Sequence, residues 1–415
     1  MFRAIVLFFI AISSASYALD GPLTLKQAID IAKNNNLSLK KELIKIDDRK
    51  IDLDSLNGKY DLSAKIDLKL AKRDEFNDRV NDSNAFLHLT KVLYDENNEI
   101  AIDSEQSSVQ DQEFLFKLFQ QQHDIKVMDA FYNVILADLK HETILQLLAH
   151  AAVRGNRTQE AFDINEASEE ELLAKQAKTQ IEAVKWVESE SNQIITRAKL
   201  ASLLNLPYEK RPDVLKRPSY KDIVEKDLED FGTWNDKVKK NNPTLKNLER
   251  QLSALNSLYS SENSNNEITI TSTARIGEQG YQRDKNGELR FGVGLSMPLG
   301  DSSSQSSKLS KLRNEINDKK LAIEIHKQSL TNEALELWSK LKTLKRQNNT
   351  LKILMNSKDL SLELARAEYE MLMKTDIGMA MIEVTDAEWQ MAKNQFDFVL
   401  TLTKLKQLAG ENYEL

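Results

Sequence analysis

The chain has 415 residues, with 57 basic and 64 acidic side chains and a formal net charge of −7. This balance does not favour nucleic acid as a partner, because phosphate backbones select basic surfaces. Cysteine is absent, which excludes disulfides, thiolate nucleophiles, thiolate metal ligands and lipidation through a cysteine exposed by cleavage. Charged residues make up 29% of the chain and it has only 12 Gly and 6 Pro, a composition typical of long helices.

Residues 1–18 have the pattern of a signal peptide. Arg3 precedes nine apolar residues, Ala4 to Ile12, and Ser16 and Ala18 fit the −3 and −1 positions of a cleavage site. Nine apolar residues are too few to span a bilayer as a helix, and the structural alternative is a buried N-terminal helix. The pattern predicts export to the periplasm, the outer membrane or the medium.

The segment KYDLSAKIDLKLAK, Lys59 to Lys72, alternates strictly between polar and apolar side chains. This period of two predicts a β-strand with one apolar and one wet face. A charged loop, RDEFNDRVNDSN, and a second strand with weaker alternation, AFLHLTKVLY, follow it. We therefore predict a β-hairpin over about 59–95, with the register of its strands left open.

Long helices are predicted after this hairpin, roughly from Ser107 to Phe162 and from Ser168 to Leu204, with a tip at about 163–168. A second pair is predicted at roughly 302–373 and 379–408, with a tip at about 374–378. From Leu309 to Leu351, apolar residues recur every seven positions. A sustained seven-residue period indicates helices packed lengthwise, as in a coiled coil.

The sequence also repeats itself. NNLSLK, residues 35–40, recurs as NNPTLK, residues 241–246, and the same offset of 206 carries the first strand onto NEITITSTARI, residues 266–276. A turn-rich loop and the alternating segment LRFGVGLSMPL follow, which predicts a second hairpin over about 266–300. Two matches at one offset indicate an internal duplication, with a first repeat over 19–212 and a second over 213–415.

Four strands with one apolar face each are too few to close a barrel within one chain. Unpaired strand edges in lipid cost several kcal/mol for each backbone group. Three copies would supply twelve strands, with the apolar side chains facing lipid and the polar side chains facing a water-filled lumen. The alternative is an ordinary soluble sheet covered by the protein's own helices.

The order of these elements, with LTLKQAIDIAKNNNLSLK, its echo WNDKVKKNNPTLK, and RFGVGLSMPLGD leading into a long helix, resembles the TolC-type outer-membrane efflux and secretion duct family. The likeness covers essentially the whole mature chain. It implies a mostly α-helical fold with β-hairpins: a homotrimer with a 12-stranded β-barrel, four strands per chain, continued by a long α-helical barrel. It also implies the outer membrane of a Gram-negative bacterium as location, and a periplasmic adaptor and an inner-membrane RND or ABC transporter as partners.

The family narrows its tunnel at an acidic constriction on the second helical hairpin. In EVTDA, Glu383 and Asp386 match the family's pair of carboxylates three residues apart. Residues at this spacing share a helix face, and threefold symmetry would stack them into two cation-attracting rings that resist full ionisation. The alternative is that both are ordinary solvated surface acids.

The family resemblance implies further tip residues, with a less specific match to the sequence. Glu170 takes the place of the first carboxylate in the first repeat, with Glu166 close by, although acids at a helix N-terminus also suit the helix dipole. Asp376 and Gly378 mark the second tip, and Asn205 stands where the family has glycine. Where some family members have a latch arginine just before the acidic pair, this chain has Met379 or Ala380, so no latch is transferred.

Enzyme motifs are not found in the sequence. The five histidines, at positions 88, 123, 141, 150 and 326, lack metal-site spacing, and no nucleophile elbow or phosphate loop occurs. We therefore expect no catalytic activity, no cofactor and no metal. The competing interpretation is a periplasmic coiled-coil adaptor or structural protein of an export system.

Overall fold

The computed structural model describes residues 21–75, 78–281, 284–299, 302–371 and 375–411. The predicted signal peptide, residues 1–18, lies outside them, as does residue 374 of the second tip. The described residues form a mainly helical chain with a four-stranded antiparallel sheet at one end. This confirms the mostly α-helical fold class with β-hairpins.

Nine α-helices occur in the part of the chain that the structure describes. The two longest helices, α3 and α8, lie one in each repeat, and shorter helices pack on them. Their bounds are α1 Leu25–Asn35, α2 Leu37–Asn57, α3 Glu96–Asp163, α4 Glu169–Leu203, α5 Lys221–Glu225, α6 Phe231–Asn241, α7 Pro243–Ser264, α8 Ser302–Glu370 and α9 Ile377–Leu408.

The helix α3 begins eleven residues before the expected Ser107. Asp95 caps its N-terminus by accepting a hydrogen bond from the Asn98 amide at 3.2 Å, and Glu96 and Glu99 lie in its first turn. An N-cap and acids near the helix N-terminus both stabilise such a start. The helix therefore follows the preceding strand directly.

The main sheet has the strand order β1-β4-β5-β6. Its strands are β1 Ser63–Lys69, β4 Asn84–Asp95, β5 Thr269–Tyr281 and β6 Asp284–Ser296. Where the sequence predicted a charged loop, the short strands β2 Lys72–Glu75 and β3 Asp78–Asn81 form a separate antiparallel ribbon. Two sheet edges, β1 and β6, have no strand partner among the described residues.

Cross-strand register separates the two faces of the sheet. Ile66 lies opposite Leu87, Leu87 opposite Ile276, and Ile276 opposite Leu289, so one apolar row crosses all four strands. The neighbouring row on the other face is polar throughout and consists of Lys65, His88, Arg275 and Arg290. The alternation in the sequence thus becomes two chemically distinct faces.

The described helices do not cover the apolar face. Leu68 in β1 is 74% exposed and Val293 in β6 is 73% exposed. A soluble sheet would bury such side chains, since each is worth roughly 1.5–3 kcal/mol on burial. The alternative of a sheet shielded by the protein's own helices is therefore wrong for this chain.

The duplication is visible in the helices and their caps. Adding 206 to the bounds of α1 gives those of α6, and the same shift carries Asn36 onto Asn242. Both asparagines cap the following helix through their side-chain oxygen, and both donate a hydrogen bond from Nδ2 to the carbonyl oxygen near the end of a long hairpin: Leu203 at 3.0 Å and Leu408 at 2.8 Å.

The hydrophobic core lies where three short helices, α1, α5 and α6, pack on the middle of α3 and α8 and on the C-terminal half of α9. We call these three the strap helices. Tyr132 of α3 stacks on Phe396 of α9 with ring centroids 4.4 Å apart, and its hydroxyl lies 2.5 Å from that of Tyr220. Below the strap, α4, α3, α9 and α8 form a single layer in that order, joined by contacts between neighbours.

Within the described residues, no helix combines the length and apolarity that a transmembrane helix requires.

Candidate functional site: the helical tips

The second helical tip is connected to the first repeat through Asp376. This residue caps α9, where its carboxylate accepts a hydrogen bond from the Met379 amide at 3.2 Å. The same carboxylate lies 2.9 Å from His150 Nε2 and accepts a hydrogen bond from Arg154 Nη2, both on α3. We call Asp376, His150 and Arg154 the tip cluster.

The pKa of Asp376 is lowered in this environment. Partial burial alone would raise the pKa of the carboxyl group, but the Met379 amide and the side chains of Arg154 and His150 outweigh that effect by stabilising the anion. Asp376 is therefore ionised at neutral pH, and the tip cluster is an ion pair between the two repeats.

A cavity of about 400 Å³ adjoins the tip cluster. Apolar side chains from three helices line much of it, among them Val153, Tyr369, Met381 and Ile382. Gly378, at the start of α9, faces His150: a Cβ atom placed there would lie 2.9 Å from His150 Cδ2. Glycine at 378 therefore lets the imidazole reach Asp376.

Glu383 and Asp386 each pair with a lysine on a different neighbouring helix. Glu383 Oε2 lies 2.8 Å from Lys358 Nζ of α8, and Asp386 Oδ1 lies 2.8 Å from Lys140 Nζ of α3. Asp386 also accepts a hydrogen bond from Gln390 at 2.7 Å. The two carboxylates thus stand one helical turn apart on α9, partly exposed, with a cation beside each.

The pKa of Asp386 is lowered within the single chain. Burial opposes this direction, but hydrogen bonds from Lys140 and Gln390 and the charge of Lys140 prevail. The direction is opposite to the one that crowding in an acidic ring would impose, because each chain supplies its own cation to the carboxylate.

The first tip turns without glycine. Asn165 adopts φ 62° between α3 and α4, a left-handed conformation that asparagine tolerates better than most residues. Ser168 then caps α4 by accepting a hydrogen bond from the Glu171 amide at 3.1 Å. Glu166 and Glu170 are exposed and form no ion pair with any described residue; Glu170 lies in the first turn of α4, where a negative charge stabilises a helix.

The five histidines have separate partners. His88 lies beside Asp67, His123 beside Asn36, His141 beside Ser189, His150 beside Asp376 and His326 beside Asn242. Among the described residues, no group of three or more His, Asp or Glu side chains is arranged to hold a metal ion.

Two residues of the tip cluster, His150 and Arg154, were not identified from the sequence. Both lie in the last quarter of α3, a polar helix, and more than 220 residues from their partner in the chain. Their spacing of four indicates a shared helix face, but nothing local identifies the helix that this face contacts.

Comparison with known proteins gives a fold but no close relative. No protein-family model matches the chain, and no curated protein matches it in sequence. Among solved structures, it is similar to CusC, described as forming a transmembrane channel, with 13% identity, a TM-score of 0.74, and coverage of 94% of this chain and 92% of that one. The CmeC outer membrane channel of Campylobacter jejuni has 14% identity and a TM-score of 0.71, covering 93% and 85%. The MtrE outer membrane channel of Neisseria gonorrhoeae, in its open state, has 15% identity and a TM-score of 0.69, covering 93% and 89%.

The chain therefore has the fold of outer-membrane channel proteins, in which a β-sheet is continued by long helices. This is the TolC-type outer-membrane duct fold that the sequence resemblance implied.

Proposed function

We propose that three copies of this chain form a passive exit duct in the outer membrane of a Gram-negative bacterium. The barrel of twelve strands crosses the membrane, and the helices extend into the periplasm as a tunnel. The duct serves a tripartite efflux pump or a type I secretion system, with a periplasmic adaptor and an inner-membrane RND or ABC transporter as partners. Energy comes from the transporter, because the chain has no nucleotide-binding loop.

One observation carries this proposal: the sheet and the helix layer are both open at their two edges. The sheet runs from β1 to β6, and the helix layer runs from α4 to α8. Each sheet edge presents unpaired backbone groups, which attract another strand. Pairing β6 of one copy with β1 of the next repeats around a threefold axis and leaves no edge in lipid.

The helical edges support the same arrangement. Ile181 and Ile195 on α4 are exposed at positions fourteen residues apart, and Ile353 and Leu360 on α8 are exposed at positions seven apart. Apolar residues at this spacing form the seam of lengthwise-packed helices. Contact between α8 of one copy and α4 of the next buries both seams in the same trimer.

The site residues then take up their proposed positions at the periplasmic end. Glu383 and Asp386 form two acidic rings, each partly neutralised by Lys358 or Lys140. The tip cluster holds α9 against α3 and keeps the tip closed until a partner separates the two hairpins. Glu166 and Glu170 lie at the neighbouring tip, where an adaptor would first make contact.

The first experiment is insertion of the purified protein into planar bilayers. We expect a detergent-extracted trimer that conducts, with more cations than anions passing. A water-soluble monomer, or an inserted trimer without conductance, would contradict the proposal.

A matched pair of variants tests the orientation of the sheet. Val293→Arg places a charge on the apolar face and should reduce folding stability in the bilayer by about 2–4 kcal/mol if that face meets the hydrocarbon midplane. Thr273→Arg places the same charge on the polar face of the adjacent strand and should be tolerated. Equal effects of the two substitutions on folding into lipid vesicles would exclude the proposed orientation.

A further inference from the structure

A groove of about 760 Å³ lies between α3, α4 and α9, away from both tips. Its walls carry four lysines: Lys126 and Lys140 on α3, Lys199 on α4 and Lys393 on α9. Trp389 lies at its edge, and the amide side chains of Asn133 and Asn192 contribute to its lining. The pair of Lys140 with Asp386 accounts for one of these positive charges and leaves the other three lysines without an assigned role.

The groove opens on the face of the helix layer opposite to the strap helices. On α3, Asp124 forms an ion pair with Lys33 of α1 at 3.1 Å, so this part of α3 faces the strap. Lys126, Asn133 and Lys140 recur every seven residues and therefore share another face. Lys126 follows Asp124 by two residues. At 100° per residue, the lysine face is therefore rotated by about half a turn around the helix axis from the strap-facing side.

The charge of the groove is only partly neutralised within the chain, where the Asp397 carboxyl group also interacts electrostatically with Lys393. Lys126, Lys199 and Lys393 form no ion pair with any residue that the structure describes, and Lys140 alone is paired, with Asp386. One carboxylate, Asp129, also lines the groove. The side chains named here therefore leave an excess of positive charge facing one concave surface.

Two of the ammonium groups converge on one ring. Lys140 Nζ lies 4.5 Å from the centroid of the Trp389 ring, and Lys393 Nζ lies 5.4 Å from it. The indole stabilises each cation through its π-system, but the two like charges repel each other. Asp386 already offsets the charge of Lys140, so an anion bound beside the ring would chiefly offset the charge of Lys393, and a ring that holds both side chains reduces the entropy that such binding costs.

We propose that this groove is a binding site for the anionic groups, carboxylate or phosphate, of molecules passing through the duct. The inference rests on the proposed function. In the proposed trimer the strap must lie outside, because three straps inside would fill the tunnel, and the lysine face then lines the lumen. The lysine ammonium groups bind the anionic group, and the asparagine amides supply hydrogen-bond donors. The site therefore selects anionic cargo inside the tunnel, whereas the acidic rings at the tip attract cations.

The lysine groove is tested by removing its unpaired charges. The groove variant combines Lys126→Gln, Lys199→Gln and Lys393→Gln and leaves Lys140 with its partner Asp386. The control variant combines Lys117→Gln, Lys221→Gln and Lys239→Gln, which removes the same net charge from exposed positions elsewhere. Lys117 lies seven residues before Asp124 and so shares the strap-facing side of α3, while Lys221 and Lys239 belong to strap helices.

Calorimetric titration of the detergent-extracted protein at low salt measures binding directly, with inorganic triphosphate in one arm and citrate in the other. We expect wild type and control to bind at least one of the two, and the groove variant to bind on the order of tenfold more weakly or worse. Binding confined to triphosphate or to citrate identifies the preferred anion. Equal binding by the groove and control variants, or no binding by wild type, would overturn the inference.

Current recordings separate this inference from the duct itself. If wild type conducts and triphosphate blocks it, while the groove variant conducts without block, both proposals are supported. If wild type and the groove variant both conduct and triphosphate blocks them equally, the anion site in the lysine groove is contradicted and the duct is not. Triphosphate binding at the groove without any conductance contradicts the duct and leaves the anion site standing.

Discussion

His150 Nε2 and the carboxylate of Asp376 lie 2.9 Å apart although 226 residues separate them in the chain. One belongs to the long helix of the first repeat and the other caps the last helix of the second repeat. With Arg154 beside them, they join the two halves of a duplicated protein at the end of the molecule far from the sheet. An ion pair at this place holds the relative position of two helical hairpins.

Substitution of Asp376 should separate the capping role from the ion pair. Asp376→Asn keeps a capping side chain but loses the charge, so we expect a stability loss of only about 0–1 kcal/mol, as is usual for partly exposed ion pairs. Asp376→Ala loses the cap as well, which costs about 1 kcal/mol more. Thermal unfolding of the two variants measures this difference.

The same variants test the closure of the tip. If the ion pair holds α9 against α3, Asp376→Asn should increase channel conductance at neutral pH, and Arg154→Gln should have a similar effect. Glu170→Gln serves as the control, since Glu170 forms no ion pair with the described residues. Unchanged conductance in both cluster variants would rule out a gating role.

The contribution of Asp376 to folding stability should be lost on acidification. Its pKa is lowered in the folded chain, so its stabilising effect is present above the unfolded pKa and is lost as the pH falls through the folded pKa. Arg154 stays protonated throughout. In a His150→Gln background, the change in melting temperature caused by Asp376→Asn should be constant from pH 8 to 5 and shrink below about pH 4. A change that grows on acidification would contradict the assignment.

The lysines beside Glu383 and Asp386 predict opposite effects on ion selectivity. Glu383→Gln with Asp386→Asn removes two negative charges per chain and leaves Lys358 and Lys140 unpaired, so the preference for cations should fall or reverse. Lys358→Gln with Lys140→Gln leaves the carboxylates unpaired and should strengthen that preference. Reversal potentials in a salt gradient measure both changes, and identical selectivity in the two double variants would argue against an acidic constriction.

Glycine at 410 should be harder to replace than asparagine at 205, its counterpart in the first repeat. Both have left-handed backbones, with φ 67° and 53°. Gly410→Ala should cost roughly 1–2 kcal/mol from strain alone, and Asn205→Ala less, because asparagine already has a Cβ atom. A Cβ at 410 would also clash with the Asn241 carbonyl oxygen, whereas Asn205 Nδ2 donates a hydrogen bond to the equivalent carbonyl oxygen of Asn35 at 3.2 Å.

Chemical denaturation of Gly410→Ala and Asn205→Ala tests this order, with Gly58→Ala as control. Position 58 has helical dihedral angles, and a Cβ there meets no atom within 4 Å, so the substitution should change stability by less than about 0.5 kcal/mol. A Gly410→Ala variant as stable as Gly58→Ala would show that the close approach to Asn241 relaxes at no cost.

Period and spacing in the sequence determined the elements and the repeat. Strict alternation over residues 59–72 identified a strand with one apolar face, although the strand forms only at Ser63–Lys69 and a 3-10 helix, Gly58–Tyr60, precedes it. The offset of 206 predicted a second copy, because these patterns are local and each strand or helix keeps its own periodicity. The start of α3 at Glu96 and the ribbon β2–β3 were missed. Caps and short polar hairpins depend on a few hydrogen bonds that leave no periodic pattern in the sequence.

Only the tertiary structure decided which helices meet and therefore which charges pair. The sequence identified Asp376 and Gly378 at a tip but not His150 or Arg154, and it identified Glu383 and Asp386 but not the lysines beside them. The physical reason is that contacts between helices far apart in the chain depend on packing of whole faces, which fixes ion pairs only after the layer α4, α3, α9, α8 has formed. The four lysines of the groove likewise converge only because three helices bring them to one surface.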